Sequence, residues 1–163
     1  MSGLNLQFKP INVQRHADLC FKFMEDTHLC SFGTRDGFDE DGQEAERFTE
    51  RIRAKLAQDP ESCLHVWQDD VIVGQLNFGT FVDPAIGYIS HFYVTPPWRG
   101  TGVAAEMDAY AGRHLRCRGF RLARLSVIAA NVRAVRFYQK HGWQDLGPRE
   151  GHPAAHNMEK VYR

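Results

Sequence analysis

Long apolar runs, paired cysteines and a phosphate-binding lysine are all missing from this sequence. No apolar stretch approaches the ~18 residues that a membrane-crossing helix needs, so no membrane partner is expected. The opening MSGLNLQFKPINVQ lacks a basic region followed by an apolar one, the pattern of a secretory signal, and a cytoplasmic protein is expected. Cys20, Cys30, Cys63 and Cys117 are scattered and none forms a CxxC pair. That argues against a zinc knuckle or a dithiol redox site, and for four reduced, mostly buried thiols. Net charge is absent too, with Lys+Arg 20 against Asp+Glu 20, and no nucleic-acid partner is expected.

The zero balance hides a split. Residues 1–98 hold 8 Lys+Arg and 15 Asp+Glu, a charge of −7; residues 99–163 hold 12 and 5, a charge of +7. Either the halves meet partners of opposite sign, or they complement each other across the fold. Hydrophobic residues make up 43% of the 163. That suffices for one domain, 1–163, with its own core.

Periodicity gives the order of elements. VQRHADLCFKFMEDTHL has helical spacing, SFGTRDGFDEDGQ is polar and reads as a loop, and EAERFTERIRAKLAQ is a second helix with Phe48, Ile52 and Leu56 four apart. The period then falls to two. SCLHVWQ sets Leu64 and Val66 against His65 and Trp67, VIVGQLNFGTF returns after Asp69-Asp70, and IGYISHFYV follows Asp83-Pro84, an antiparallel meander. VAAEMDAYAGRHLRCR is a helix closed by Gly119, FRLARLSVIA a strand, and NVRAVRFYQKHG a helix with Asn131 as N-cap and Gly142 past its end. WQDLG and HNMEKVY are the closing strands.

Between the meander and the third helix stands TPPWRGTGVAAEM. A Walker loop requires GxxxxGK[ST], and no lysine follows Gly102. A dinucleotide fold puts its first glycine directly at the end of a parallel strand, with an acid ~20 residues later. Here TPPW intervenes, the strand ends an antiparallel meander, and RLARLSV offers no acid. Two readings remain: an ordinary strand-to-helix turn, or an anion cradle in which backbone N–H groups from Gly100 to Ala104 open a helix beside Arg99.

At these residues the chain resembles the GNAT family of N-acetyltransferases. RGTGVA fits the family signature [QR]xxGx[GA] through Arg99, Gly102 and Ala104, after the link Val94-Thr95-Pro96. NVRAVRFYQKHGW fits a second motif through Asn131, Ala134, Tyr138, Gly142 and Trp143. The order of elements matches as well. The resemblance implies an α/β (α+β) fold, a mixed, mostly antiparallel twisted sheet of six to seven strands with helices on both faces. It implies acetyl-CoA as co-substrate, no metal, and a primary amine that attacks the thioester directly.

The resemblance also implies roles. Gly100, Thr101, Gly102, Val103 and Ala104, with Arg99, would cradle the CoA pyrophosphate. Phe92, Tyr93 and Val94, on a strand expected to splay from LARLSVIA, would bond the pantetheine; Asn131, Ala134 and Tyr138 would complete the cofactor site. Tyr138 would protonate the departing thiolate, or else pack its ring as many helical tyrosines do. Some members use a glutamate base on the strand before the glycines, and GYISHFYV has none; His91 lies there and titrates near neutral pH when unperturbed. A packed histidine, with a water chain ending elsewhere, is the alternative. His152 and His156 have the HxxxH spacing of a metal pair, but Pro153 argues for a loop and against a metal.

For the acceptor, the segment between the first two helices carries Asp36, Asp39, Glu40, Asp41 and Glu44. The resemblance implies that this segment borders the acceptor pocket, as it usually does in the family. Asp39, Glu40 and Asp41 would then favour a small cationic amine, unless they are a solvated surface. A protein N-terminus or lysine as acceptor, and a non-catalytic acyl-CoA sensor, are the competing functions. A monomer or homodimer is expected.

Overall fold

The computed structural model describes residues 3–163. Along the chain run β1 (Leu6–Pro10), α1 (Val13–Phe32), α2 (Glu44–Gln58), β2 (Cys63–Gln68), β3 (Val71–Thr80) and β4 (Gly87–Val94). A 3₁₀ turn (Pro96–Trp98), α3 (Val103–Cys117), β5 (Leu122–Ile128), α4 (Val132–Lys140), β6 (Gln144–Arg149) and β7 (His152–Val161) follow. The seven strands lie in the order β1-β2-β3-β4-β5-β7-β6. The β1–β2, β2–β3, β5–β7 and β6–β7 pairs are antiparallel, and β4–β5 is parallel. This is the mixed, mostly antiparallel sheet that the resemblance implies.

The chain forms two compact units: residues up to Asn77 with His91–Ala104, and Phe78–Ser90 with Ala105–Arg163. The core of the first gathers Ile11, Cys20, Phe48, Ile52 and Cys63, with Val13, Met24 and Leu56 against them. The α2 residues in it are the four-apart apolar stripe of the sequence. Helix α1 starts at Asn12, whose side chain accepts from the Arg15 N–H, and stops at Gly33, which takes the left-handed φ of 71°. In the second unit, Ala123, Leu125 and Val127 of β5 alternate inward. Helix α3 buries Met107, Ala111 and Leu115 at helical spacing.

Three expectations need correction. Strand β1 has no counterpart among the expected elements: LQFKP is short and its burial pattern does not alternate cleanly. Residues 152–155, expected as a loop, open β7 instead. Pro153 is tolerated because the β5 ladder begins only at Ala155, so its missing N–H breaks no bond there. The thiols divide evenly: Cys20 and Cys63 are buried, Cys30 and Cys117 exposed, and all four are free.

Candidate active site

The glycine segment, the candidate cradle, runs directly into the head of α3 with two left-handed residues. Gly100 has φ 76° and Gly102 φ 96°, conformations that cost a side-chain-bearing residue dearly. A Cβ at Gly100 would meet nothing within 4 Å, and Gly100, Thr101 and Gly102 are all exposed. The Thr101 hydroxyl donates to the Trp98 carbonyl and locks the turn. The first-turn N–H groups of α3, from Val103 on, have no acceptor within their own helix. N–H groups left over at the positive end of a helix suit an anion in general, and such binding needs no lysine.

Arg99 is not aimed at that cradle. Its Nη2 donates to Asp26 Oδ2 at 2.7 Å, its Nε donates to the Val94 carbonyl at 2.9 Å, and its guanidinium lies 5.5 Å from the centroid of the Tyr93 ring. The Tyr93 hydroxyl donates to the same Asp26 oxygen at 2.5 Å. Burial and that carboxylate push the Tyr93 hydroxyl well above its ordinary range. The Tyr93 ring stacks on Phe23 of α1 at 4.6 Å. Of the strand residues expected to bond pantetheine, Tyr93 thus turns its side chain to α1, and the Val94 carbonyl is taken by Arg99. Phe92 is half-buried. The ladder from β4 to β5 covers Gly87 and Tyr88 only, opposite Ala123 and Arg124.

His91 sits in an oriented chain of buried hydrogen bonds. The Thr27 hydroxyl donates to the Phe23 carbonyl at 2.8 Å, so its oxygen accepts from His91 Nε2 at 2.9 Å. His91 Nδ1 then accepts from the Gln75 amide at 3.4 Å, and Gln75 Oε1 accepts from His65 Nε2 at 2.9 Å. Burial lowers both imidazoles to about 4, with Lys55 and His65 adding to the effect at His91. His91 is therefore neutral at pH 7, with its lone pair and its N–H both engaged inside the protein. Only the His65 Nδ1 at the chain's far end lacks a partner, as does the buried Nδ1 of His16 5.6 Å from it ring to ring, among the described residues.

Tyr138 lies in the second unit. Asn131 caps its helix, with Oδ1 accepting from the Ala134 N–H at 3.3 Å. Tyr138 is 7% exposed and meets Trp143 edge to face at 6.1 Å. Burial first, and then the Asp108 carboxylate, push its hydroxyl well above the ordinary phenol range. The phenol is protonated throughout the physiological range, the state a proton donor requires.

The acidic segment is largely paired with itself. Asp41 and Glu44 both bind Arg47, Glu44 also binds Arg51, and Asp39 lies 3.9 Å from Arg35. Asp39 Oδ1 accepts from the Glu44 N–H and Glu40 Oε1 from the Gly37 N–H. The bond to Arg47 first, and then the Gln43 N–H, lower Asp41 to about 2. At the other end of the chain, His156 Nδ1 lies 3.0 Å from Asp145. Among the described residues no group of three or more His, Cys, Asp or Glu is placed to hold a metal.

Sequence reasoning missed Asp26, Gln75, His65 and Asp108. No local pattern marks a lone acid in an amphipathic helix, and polar residues in strands read as outward-facing.

The model of the acetyltransferase (GNAT) family matches residues 22–143. No protein of curated function matches in sequence. Similar solved structures include the PaiA N-acetyltransferase of Thermoplasma acidophilum in complex with coenzyme A, 14% identical with a TM-score of 0.77, covering 98% of this chain and 100% of that one. An acetyltransferase of Thermus thermophilus is 17% identical with a TM-score of 0.76, covering 99% of each chain. A chain of the NatC complex bound to Gag peptide and CoA is 14% identical with a TM-score of 0.66, covering 98% of this chain and 100% of that one.

Proposed function

The chain belongs to the GNAT acetyltransferase family, and on that footing we propose that it transfers the acetyl group of acetyl-CoA to a primary amine of a small cationic molecule. The observation that carries the reading is the Gly100–Ala104 backbone, held by two left-handed glycines at the head of α3. When bound there, acetyl-CoA supplies the acetyl group on a thioester whose thiolate is the leaving group.

The residues divide the work. The cradle N–H groups neutralise the pyrophosphate with fixed dipoles, which cost no reorganisation. Asn131 fixes the start of α4 and so the placing of Tyr138. The Tyr138 hydroxyl donates to the departing sulfur. An ordinary thiol has a pKa near ~8.5, below that of this buried phenol, so complete proton transfer is uphill and Tyr138 acts chiefly through a hydrogen bond to developing charge. His91 enters as a holder of β4 against α1, because neither nitrogen is open to an amine proton. The base is then a water.

A cationic acceptor is supported by charge that survives pairing. Residues 33–51 hold seven carboxylates against three arginines. Such an excess raises the local concentration of ammonium groups before they lose a proton.

Thiol release from acetyl-CoA, measured over a panel of polyamines, amino sugars, simple amines and peptides, tests the proposal. Turnover with small cationic amines supports it. Turnover with peptides alone would make the acceptor a protein, and CoA binding without turnover on any amine would make the chain a sensor.

A further inference from the structure

Helix α1 grips β4 and the cradle through residues on one face. Phe23 stacks on Tyr93, Asp26 accepts from Tyr93 and Arg99, and Thr27 meets His91. Positions 23, 26 and 27 are neighbours on a helix surface, and 91 and 93 share one side of a strand. At the cradle end two donors converge on one atom, Asp26 Oδ2, which accepts both the phenol and the guanidinium. Arg99 is held from three sides, with its side chain 21% exposed. Gly100 follows it directly, so the place where Arg99 is pinned is the place where the cradle starts.

We propose that Asp26 is a positioning residue for acetyl-CoA: it holds Arg99 as a strut beneath the glycine backbone, so that the pyrophosphate meets backbone N–H groups and not the guanidinium. This rests on the acetyl-CoA reading above. Two facts favour a strut over a reserve cation. Arg99 Nε closes the carbonyl of Val94 at the end of β4, a bond that would be lost if the side chain swung outward. The Asp26–Arg99 pair is also close to neutral as a unit, so it exerts little pull on an approaching anion, while the helix end carries that role.

The test is calorimetry with CoA on the intact chain, beside steady-state kinetics. Asp26→Ala is expected to weaken CoA about tenfold, the equivalent of one lost charge-assisted hydrogen bond. Asp26→Asn keeps an acceptor oxygen for both donors and is expected to lose less. The Asp26→Ala/Arg99→Ala pair is expected to be no weaker than Arg99→Ala alone, because both act through one strut. KM for the amine should stay in place while KM for acetyl-CoA rises, a split that general loosening of the fold would not give. If Asp26→Ala binds CoA as wild type does, or tighter with a steeper salt dependence, Arg99 is a phosphate ligand and the proposal fails. Should Asp26→Ala not fold, unchanged CoA affinity in a folded Arg99→Ala, which removes the strut itself, overturns it equally. Wild-type protein that does not bind CoA overturns the acetyl-CoA reading as well, whereas a normal wild type with indifferent Asp26 variants overturns this inference alone.

Discussion

The indole N–H of Trp143 donates to Asp108 Oδ1 at 2.8 Å, with both side chains buried. The other Asp108 oxygen accepts from Lys160 Nζ at 2.8 Å. One carboxylate thus joins α3, the turn after α4, and β7. Trp143→Phe keeps most of the ring and removes the donor, so it should cost about 1–3 kcal/mol. Asp108→Ala should cost more, about 3–5 kcal/mol, because it strands the partly buried Lys160 ammonium. Urea unfolding with an unchanged m-value checks both; a Trp143→Phe loss too small to resolve would show that the bond adds nothing net.

Tyr138→Phe removes only a hydrogen-bond donor to the departing sulfur. We expect kcat to fall about 10²-fold with CoA affinity unchanged. Because the phenol pKa is raised above its ordinary value, the wild-type kcat profile should show no alkaline limb from this group below pH ~10. Equal turnover in wild type and Tyr138→Phe, with chemistry shown to be rate-limiting, would reduce Tyr138 to a packing residue.

At Gly102 the backbone sets the limit, not crowding. A Cβ there would meet Leu4 Cδ1 at 3.4 Å, an ordinary contact, but φ is 96°. Gly102→Val places a β-branched residue where even single L residues pay roughly 1–2 kcal/mol, and the loop should relax out of its anion-binding shape. CoA binding should be lost in a protein that still shows native circular dichroism. Wild-type affinity by calorimetry would remove the cradle from the site.

The acidic segment is best tested with amides. Asp39→Asn, Glu40→Gln and Asp41→Asn together delete three charges, while the amide oxygen introduced at position 39 can still accept from the Glu44 N–H. KM for a cationic amine should rise and its salt dependence flatten, with KM for acetyl-CoA constant. Unaltered amine KM and salt response would detach the segment from the acceptor.

Acid should unfold the protein through His65 and His91. Their folded pKa is about 4, below the ordinary 6.5. The unfolded chain therefore binds protons first, and stability present above pH 6.5 is lost as pH falls toward 4. Each histidine contributes at most about 3 kcal/mol to that slope. Chemical denaturation at a series of pH values from about 7.5 down to about 4.5 measures it. A flat profile would mean that the two rings accept protons without unfolding.

The order of elements is legible because the period shifts from 3.6 to 2 and back, with glycine and asparagine at the boundaries. The Asn131 cap and the Gly119 and Gly142 stops stand where the sequence puts them. His65 escapes that reading for a physical reason. Alternation in SCLHVWQ implies one wet face, yet His65 is 1% exposed and hydrogen-bonded to Gln75. A strand buried on both sides admits polar residues when they satisfy one another, and no local pattern announces that. The cradle is legible because its conformation is written in two glycines two positions apart. Its support is not, because Asp26 precedes Arg99 by 73 positions.

That separation has a bearing on how the protein is made. The contacts that brace the cradle join residues 64, 67 and 73 apart in sequence, while the cradle itself is a short consecutive run. Long loops of this kind close late, since their entropy must be met before any contact repays it. During synthesis α1 leaves the ribosome well before Arg99 is joined to the chain, and its polar face has nothing on β4 to hold until then. Competence to bind would thus arrive as one of the last events of folding, after helix and meander are in place, and a chain released before β4 is complete would carry α1 without the element it braces.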